Sequence, residues 1–133
     1  MKIRRPDKLP ISPDDKSAEH TATQQIWKIR TVKEYAQAHN HIMVGRVLEV
    51  NSSFVRLRCK SYHFHPSAKT PDDIQEGVHM VRIIPWHKIE IVNELSPTFG
   101  YYKSRITTDQ DGSIVLNDDT MLCTLVSCVD RRY

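Results

Sequence analysis

Long apolar runs are missing from this sequence. It contains no stretch of about 18 apolar residues, the length that a membrane-spanning helix needs, so we expect no membrane partner. The N-terminus begins with a basic segment that contains Lys2, Arg4 and Arg5, but this segment is not followed by the apolar run of about seven residues that a secretory signal requires. Both absences favour a cytoplasmic protein.

Cysteine is also scarce. The three cysteines are Cys59, Cys123 and Cys128, so any disulfide would leave one thiol over, and none of them forms a Cys-x-x-Cys pair. We therefore expect reduced thiols in a reducing compartment.

The motifs that mark common enzymes are absent. The sequence has no glycine-rich phosphate loop, no nucleophile elbow and no pair of carboxylates in an identifiable pocket. Seven histidines could act as acids or bases, but nothing in the sequence places a partner beside any of them. The sequence predicts a protein that is not an enzyme and that needs no cofactor.

One group of residues has the chemistry of a zinc site. His63 and His65 share strand parity with Cys59. A structural zinc site needs four ligands, and these residues supply three. The alternative, a partly exposed loop edge, is preferred, so no metal is predicted.

A second group partly fits a calcium loop. It contains Asp109, Asp111, Gly112 and Asp118, but the first ligand position is Thr107 and the last lacks the usual glutamate. Asp-Gly is also a favoured corner between two strands. The sequence therefore predicts a hairpin turn here.

The N-terminal part of the chain is basic and rich in proline. Prolines favour extended backbone in the residues before them, so residues 1–30 are predicted to form an extended arm. Such an arm is expected to lie on a protein partner. Arg4 and Arg5 belong to a basic cluster that could attract phosphates, although a solvated tail would have the same composition.

Residues 31–95 carry the strongest structural signals. Thr31 and Glu34 fit a capping box, which predicts a short helix over residues 32–38, with a strand as the alternative. Four β-rich segments then follow, at residues 41–50, 54–60, 78–84 and 87–93, with a polar surface loop at 66–77. We expect these strands to close a small barrel.

The segment 54–60 has the clearest alternation in the chain. Its apolar positions alternate with Arg56, Arg58 and Lys60, and Tyr62 and Phe64 continue on the basic face. Basic and aromatic side chains on one β surface are what single-stranded nucleic acid requires, because phosphates contact the charges and bases stack on the rings. The alternative is a solvated face whose charges discourage edge pairing.

Residues 96–133 are predicted to be a C-terminal β extension. Two segments around the turn at residues 109–112 form a hairpin, and residues 121–129 form a final apolar strand. This extension is too small for a core of its own, so it should pack on the barrel or on a neighbouring subunit.

The segment 45–57 resembles the first motif of Sm-like proteins. The matching positions are Gly45, Val47, Val50, Asn51 and Phe54. The resemblance implies a five-stranded barrel that forms rings through edge-strand pairing and binds RNA, with Asn51 at the RNA-binding turn. Val55 stands where that family has its base-holding asparagine, and Ile84-Pro85 replaces its Arg-Gly motif. The segment 81–91 is also similar to the end of PRC-barrel domains.

Together these features predict a mainly β protein with a small SH3-like or Sm-like barrel, an extended N-terminal arm, one short helix and a C-terminal β extension. The expected function is a homo-oligomeric, non-enzymatic module that binds RNA. Its predicted site comprises Arg56, Arg58, Lys60, Asn51, Tyr62, Phe64, Arg4 and Arg5. The alternative function is a structural or adaptor subunit of a protein assembly with no nucleic acid bound.

Overall fold

The computed structural model describes residues 25–128, which form nine antiparallel strands and two single 3-10 turns. The strands are β1 (Ile26–Thr31), β2 (Asn40–Val50), β3 (Phe54–Phe64), β4 (Gln75–Glu76), β5 (Met80–Pro85), β6 (Ile89–Leu95), β7 (Arg105–Thr108), β8 (Ile114–Asn117) and β9 (Leu122–Val126). The 3-10 turns are Pro71–Asp73 and Trp86–Lys88. The protein is mainly β, as the sequence predicts.

Strands β1 to β6 form one large sheet. Its order is β4-β3-β2-β1-β6, and β5 also pairs with β3. Strand β1 lies between β2 and β6, in the interior of this sheet. The extended arm predicted over residues 1–30 is corrected at residues 26–30, which belong to β1, while residues 1–24 lie outside the described part of the chain.

Apolar side chains on the inner face of the large sheet, from strands at both of its sides, pack against one another. This inner cluster consists of Ile29, Met43, Val47, Val55, Leu57, Cys59 and Ile84, and Trp27, Ile89 and Val92 pack against it. Residues from β5 and β6, at opposite sides of the sheet, meet in this cluster, so the sheet is strongly curled. Strands β5 and β6 are not hydrogen-bonded to each other, and the sheet remains open.

Strands β2 and β3 approach each other closely at Gly45. A Cβ atom at this position would lie 2.0 Å from the carbonyl oxygen of Arg58 and 2.6 Å from the Cα of Cys59. No side chain fits at such distances, so glycine allows β2 and β3 to approach closely here.

Strands β7, β8 and β9 form a small antiparallel sheet that covers part of the outer face of the large sheet. Tyr62 and Phe64 on β3 and Leu116 on β8 belong to one shared cluster. The other members are Ile26, Ile42, Val44, Ala68, Ile74, Phe99, Tyr101, Ile114, Cys123, Leu125 and Val126. The part of the outer face beyond this cluster stays exposed.

Two local predictions need correction. Residues 32–38 form bends and a turn rather than a helix, because Val32 and Tyr35 are 47% and 66% exposed and give a helix no apolar face to bury. The predicted loop at 66–77 contains a 3-10 turn and β4, and it buries Ala68 and Ile74.

The hairpin predicted between β7 and β8 is confirmed. The Asp109 carboxylate accepts hydrogen bonds from the backbone N–H groups of Asp111 and Ser113, both at 2.9 Å, and Gly112 has a positive φ of 87°. These contacts are those of a tight turn, and the carboxylate is used within it.

Candidate nucleic-acid interface

Two arginines lie side by side on the exposed part of the outer face. Arg46 on β2 is directly opposite Arg58 on β3 in the strand register, and both side chains are exposed. Within residues 25–128, no ion pair involves either guanidinium group. Like charges directly opposite each other on neighbouring strands repel. This pair therefore forms a concentrated positive charge without a compensating carboxylate in the described region.

The other two predicted cations are on the same face but are paired. Arg56 Nε lies 3.5 Å from a carboxylate oxygen of Glu49, and Lys60 Nζ lies 2.9 Å from one of Glu76. The Lys60 side chain is only 16% exposed. The three predicted cations do share one face of β3. Arg58 is the one of the three that has no ion-pair partner among the described residues. Arg46, which lies opposite it, was not among the predicted site residues.

The aromatic residues predicted to continue this face are not accessible. Tyr62 is 0% exposed and Phe64 is 5% exposed, because the small sheet covers this half of β3. Neither ring can stack on a base, which corrects their predicted role. Their alternation was read correctly, but alternation does not reveal which half of a face another sheet covers.

Other aromatic side chains take their place beside the arginines. The Tyr102 ring is 62% exposed, and Lys60 Nζ lies 5.2 Å from its centroid. His79 packs against Tyr102 at 4.6 Å between ring centroids, and its Nε2 is 2.9 Å from the Tyr101 hydroxyl. Burial, and then the charges of Arg58 and Lys60, lower the pKa of His79. We call Arg46, Arg58, Lys60, His79 and Tyr102 the basic-aromatic surface.

A groove of about 220 Å³ adjoins Arg46. It is lined by Ile26, Arg46, Pro97, Phe99, Gly100, Tyr101, Tyr102 and Lys103. Residues of the β6–β7 connection thus bring two tyrosines and a further cation beside the arginine pair.

The β6–β7 connection is held in place by Asp118. Its carboxylate accepts hydrogen bonds from the backbone N–H groups of Gly100 at 2.7 Å, Thr120 at 2.9 Å and Met121 at 2.6 Å. These donors, with that of Gly100 contributing most, hold the pKa of Asp118 well below its usual range. The tyrosines of the groove are therefore positioned by a carboxylate that remains charged at neutral pH.

Asn51, another predicted site residue, does not lie on this surface. The Asn51 side chain is used in the β2–β3 turn, where its Oδ1 accepts from the backbone N–H groups of Ser53 at 2.8 Å and Phe54 at 2.9 Å. The backbone carbonyl oxygen of Asn51 accepts a hydrogen bond from the indole N–H of Trp86 at 2.7 Å. Arg4 and Arg5 lie outside the described residues.

The histidine-cysteine group is dispersed. Cys59 is in the inner cluster, His63 stacks on His41 with 4.0 Å between ring centroids, and exposed His65 contacts His39 edge-on. Over residues 25–128, no three His, Cys, Asp or Glu side chains could hold a metal ion. All three cysteines are free thiols.

Comparisons with known proteins find no match, since no protein-family model, no curated protein and no solved structure is similar to this chain. In the part of the chain that the structure describes, no helix is both long and apolar enough to cross a membrane. The resemblances to Sm-like and PRC-barrel proteins therefore remain predictions.

Proposed function

We propose that this protein is a non-enzymatic small-barrel module that binds single-stranded RNA through the basic-aromatic surface. The phosphates would contact Arg46 and Arg58, and a base would stack on Tyr102 beside the adjoining groove. Single-stranded nucleic acids bind surfaces that combine positive charge with exposed aromatic rings, because phosphates contact the charges and every base has a face that can stack.

The observation that carries this proposal is the Arg46–Arg58 pair. Opposed like charges cost free energy, and the described residues provide no carboxylate that relieves this cost. A bound phosphate would relieve the repulsion and would gain charge-assisted hydrogen bonds from the planar guanidinium groups. Recognition would depend on charge and shape, because Val55 is buried where the Sm-like family has its base-holding asparagine.

The strand order supports an SH3-like or Sm-like assignment. Strand β1 pairs with β2 and β6, β5 pairs with β3, and a 3-10 turn joins β5 to β6. The outer edges of β5 and β6 are without partners in the described chain, so pairing between copies is the proposed route to a homo-oligomer.

The test is a fluorescence anisotropy titration of a labelled 20-nucleotide polyuridine at several salt concentrations. Substituting Arg46→Gln and Arg58→Gln together should weaken binding strongly. It should also reduce the slope of log affinity against log salt by about 1.4, the value for two lost phosphate contacts at roughly 0.7 each.

The matched control removes two cations elsewhere, with Lys88→Gln and Arg105→Gln. This variant has the same net charge as the first, and it should retain most of the affinity. Equal loss in the two variants would mean that only net charge matters, and an absence of binding by the unsubstituted protein would refute the proposal.

The adaptor function is a second candidate, favoured by two exposed apolar side chains on one face of β5. Val81 is 39% exposed and Ile83 60%, they lie opposite Arg58 and Arg56 of β3 in the register, and exposed apolar patches are typical of protein contacts. Light scattering of the purified protein, read with its ultraviolet absorbance ratio, separates the two functions. An adaptor would carry no nucleic acid, and its N-terminal arm would become protected when the protein partner is added.

A further inference from the structure

A second pocket, of about 290 Å³, opens onto the inner cluster between β1, β2 and β5. Its apolar wall includes Met43 and Ile84, which are members of that cluster, and Pro85. Its polar lining includes Arg82, His41 and Lys88. This volume is near the lower end of the range for small-molecule sites, which begins at about 300 Å³. The pocket lies where the open sheet leaves its inner face uncovered.

The polar groups of this pocket are incompletely satisfied. Arg82 Nε and His41 Nε2 are both buried and have no hydrogen-bond partner among the described residues. The Arg82 guanidinium group donates from Nη2 to the Ser61 hydroxyl in a long hydrogen bond of 3.4 Å, and it also interacts with the Cys59 thiol. A buried donor without a partner costs free energy, so an acceptor placed beside Arg82 Nε would be stabilised.

The charge of the pocket has one sign. Arg82 and Lys88 are cations, and among residues 25–128 no aspartate or glutamate lines the pocket. At its rim Lys88 pairs with Glu34, whose side chain is 78% exposed and lies 3.6 Å from Lys88 Nζ. Exposed ion pairs of this kind contribute little stability and exchange easily.

We infer that this pocket binds a small apolar molecule with one carboxylate, whose carboxylate pairs with Arg82 and whose apolar part packs on Met43 and Ile84. An arginine presents a planar fork of donors that matches a carboxylate. The apolar wall excludes a strongly hydrated inorganic anion as the best ligand. A free carboxylic acid and the C-terminal residue of a peptide share this chemistry.

The test uses two probes, hexanoate for a free acid and N-acetyl-leucine for a peptide C-terminus, each compared with its neutral primary amide. Titration followed by two-dimensional NMR should shift the signals of His41, Met43 and Ile84 with either carboxylate. The amides should bind at least about tenfold more weakly, because they lose the ion pair with Arg82. The probe with the higher affinity identifies the source of the natural ligand.

The Arg82→Gln variant should weaken carboxylate binding by a similar factor and leave polyuridine binding unchanged. Arg58→Gln is the matched control, since it removes a cation from the outer face and should affect polyuridine alone. This inference is thus independent of the RNA-binding proposal.

A second readout works on the unsubstituted protein if Arg82→Gln does not fold. Burial first, then the electrostatic interactions with the neighbouring His63 ring and with the Arg82 cation, lower the pKa of His41 to about 4, so a bound carboxylate should raise that pKa. Equal binding of acids and amides, an unchanged His41 titration, or no shifts at millimolar probe would each overturn the inference.

Discussion

At the scale of single residues, the environment decides what each side chain does. Arg56 and Arg58 are two positions apart on the same face, yet Arg56 pairs with Glu49 and Arg58 faces Arg46. Gly45, which precedes Arg46, is the residue that brings the two strands together at this point, because any Cβ would overlap the backbone of β3. The close approach of the strands that carry Arg46 and Arg58 therefore depends on glycine at position 45.

Gly45→Ala should destabilise the protein by about 1–3 kcal/mol or more, because the added methyl group overlaps the Arg58 carbonyl oxygen and the backbone must move. The measurement is urea denaturation followed by tryptophan fluorescence. Gly100→Ala is the control, since its Cβ would meet the flexible end of the Lys103 side chain at 2.8 Å, which can move away. Equal stability of the two variants would contradict the packing argument.

At the scale of elements, the register between β2 and β3 affects the pKa values of two histidines. One of them, His41, lines the pocket between β1, β2 and β5. The register pairs His41 with His63, and their rings stack at an interplanar angle of 19°. Burial first, then the electrostatic interactions with His63 and with Arg82, lower the pKa of His41 from 6.5 to about 4. Burial, with Arg82 and His39, also lowers the pKa of His63. The fold thus keeps this cross-strand pair neutral.

A folded-state pKa below the unfolded value makes stability depend on pH. The unfolded chain binds protons at His41 from about pH 6.5 downwards, whereas the folded chain resists until about pH 4. The contribution of the neutral His41 imidazole to the free energy of unfolding is therefore complete above about pH 6.5. It is lost as the pH falls towards 4.

His41→Phe should flatten this dependence, because phenylalanine keeps a stacking ring and cannot be protonated. Urea denaturation at several pH values between 4 and 7 measures the effect. His87→Phe, at an exposed position on the 3-10 turn, should leave the dependence as it is. An unchanged pH profile in His41→Phe would show that the stacked pair is not the cause.

At the scale of the whole molecule, the large sheet joins two clusters of apolar side chains. Its inner face forms the inner cluster, and its outer face shares a second cluster with the small sheet. Because β2 and β3 contribute to both clusters, the loss of either should weaken the other. We expect residues 25–128 to unfold as one cooperative unit.

Leu57→Ala in the inner cluster and Leu116→Ala in the shared cluster test this expectation. Both leucines are fully buried, and each substitution should cost about 2–5 kcal/mol. Calorimetry should show one transition that moves to lower temperature in both variants. A second transition in Leu116→Ala, with the first unchanged, would mean that the C-terminal part folds as a separate unit.

Strands with strong alternation can be predicted from the sequence alone. Val55, Leu57 and Cys59 alternate with charged residues, and the turn around Gly112 has few alternatives, because side-chain alternation and turn geometry are local properties. The central strand β1 was missed, since Ile26–Thr31 is short and follows a proline-rich segment.

Which side chains of each sheet face are exposed depends on the tertiary structure. Tyr62 and Phe64 share the parity of Arg58, but the small sheet covers them and leaves the arginine exposed. Arg46 lies opposite Arg58, and Tyr102 comes beside Lys60 from a distant connection. The alternation along one strand carries no information about which strand pairs with it or which sheet covers it, since both depend on contacts between residues far apart in sequence.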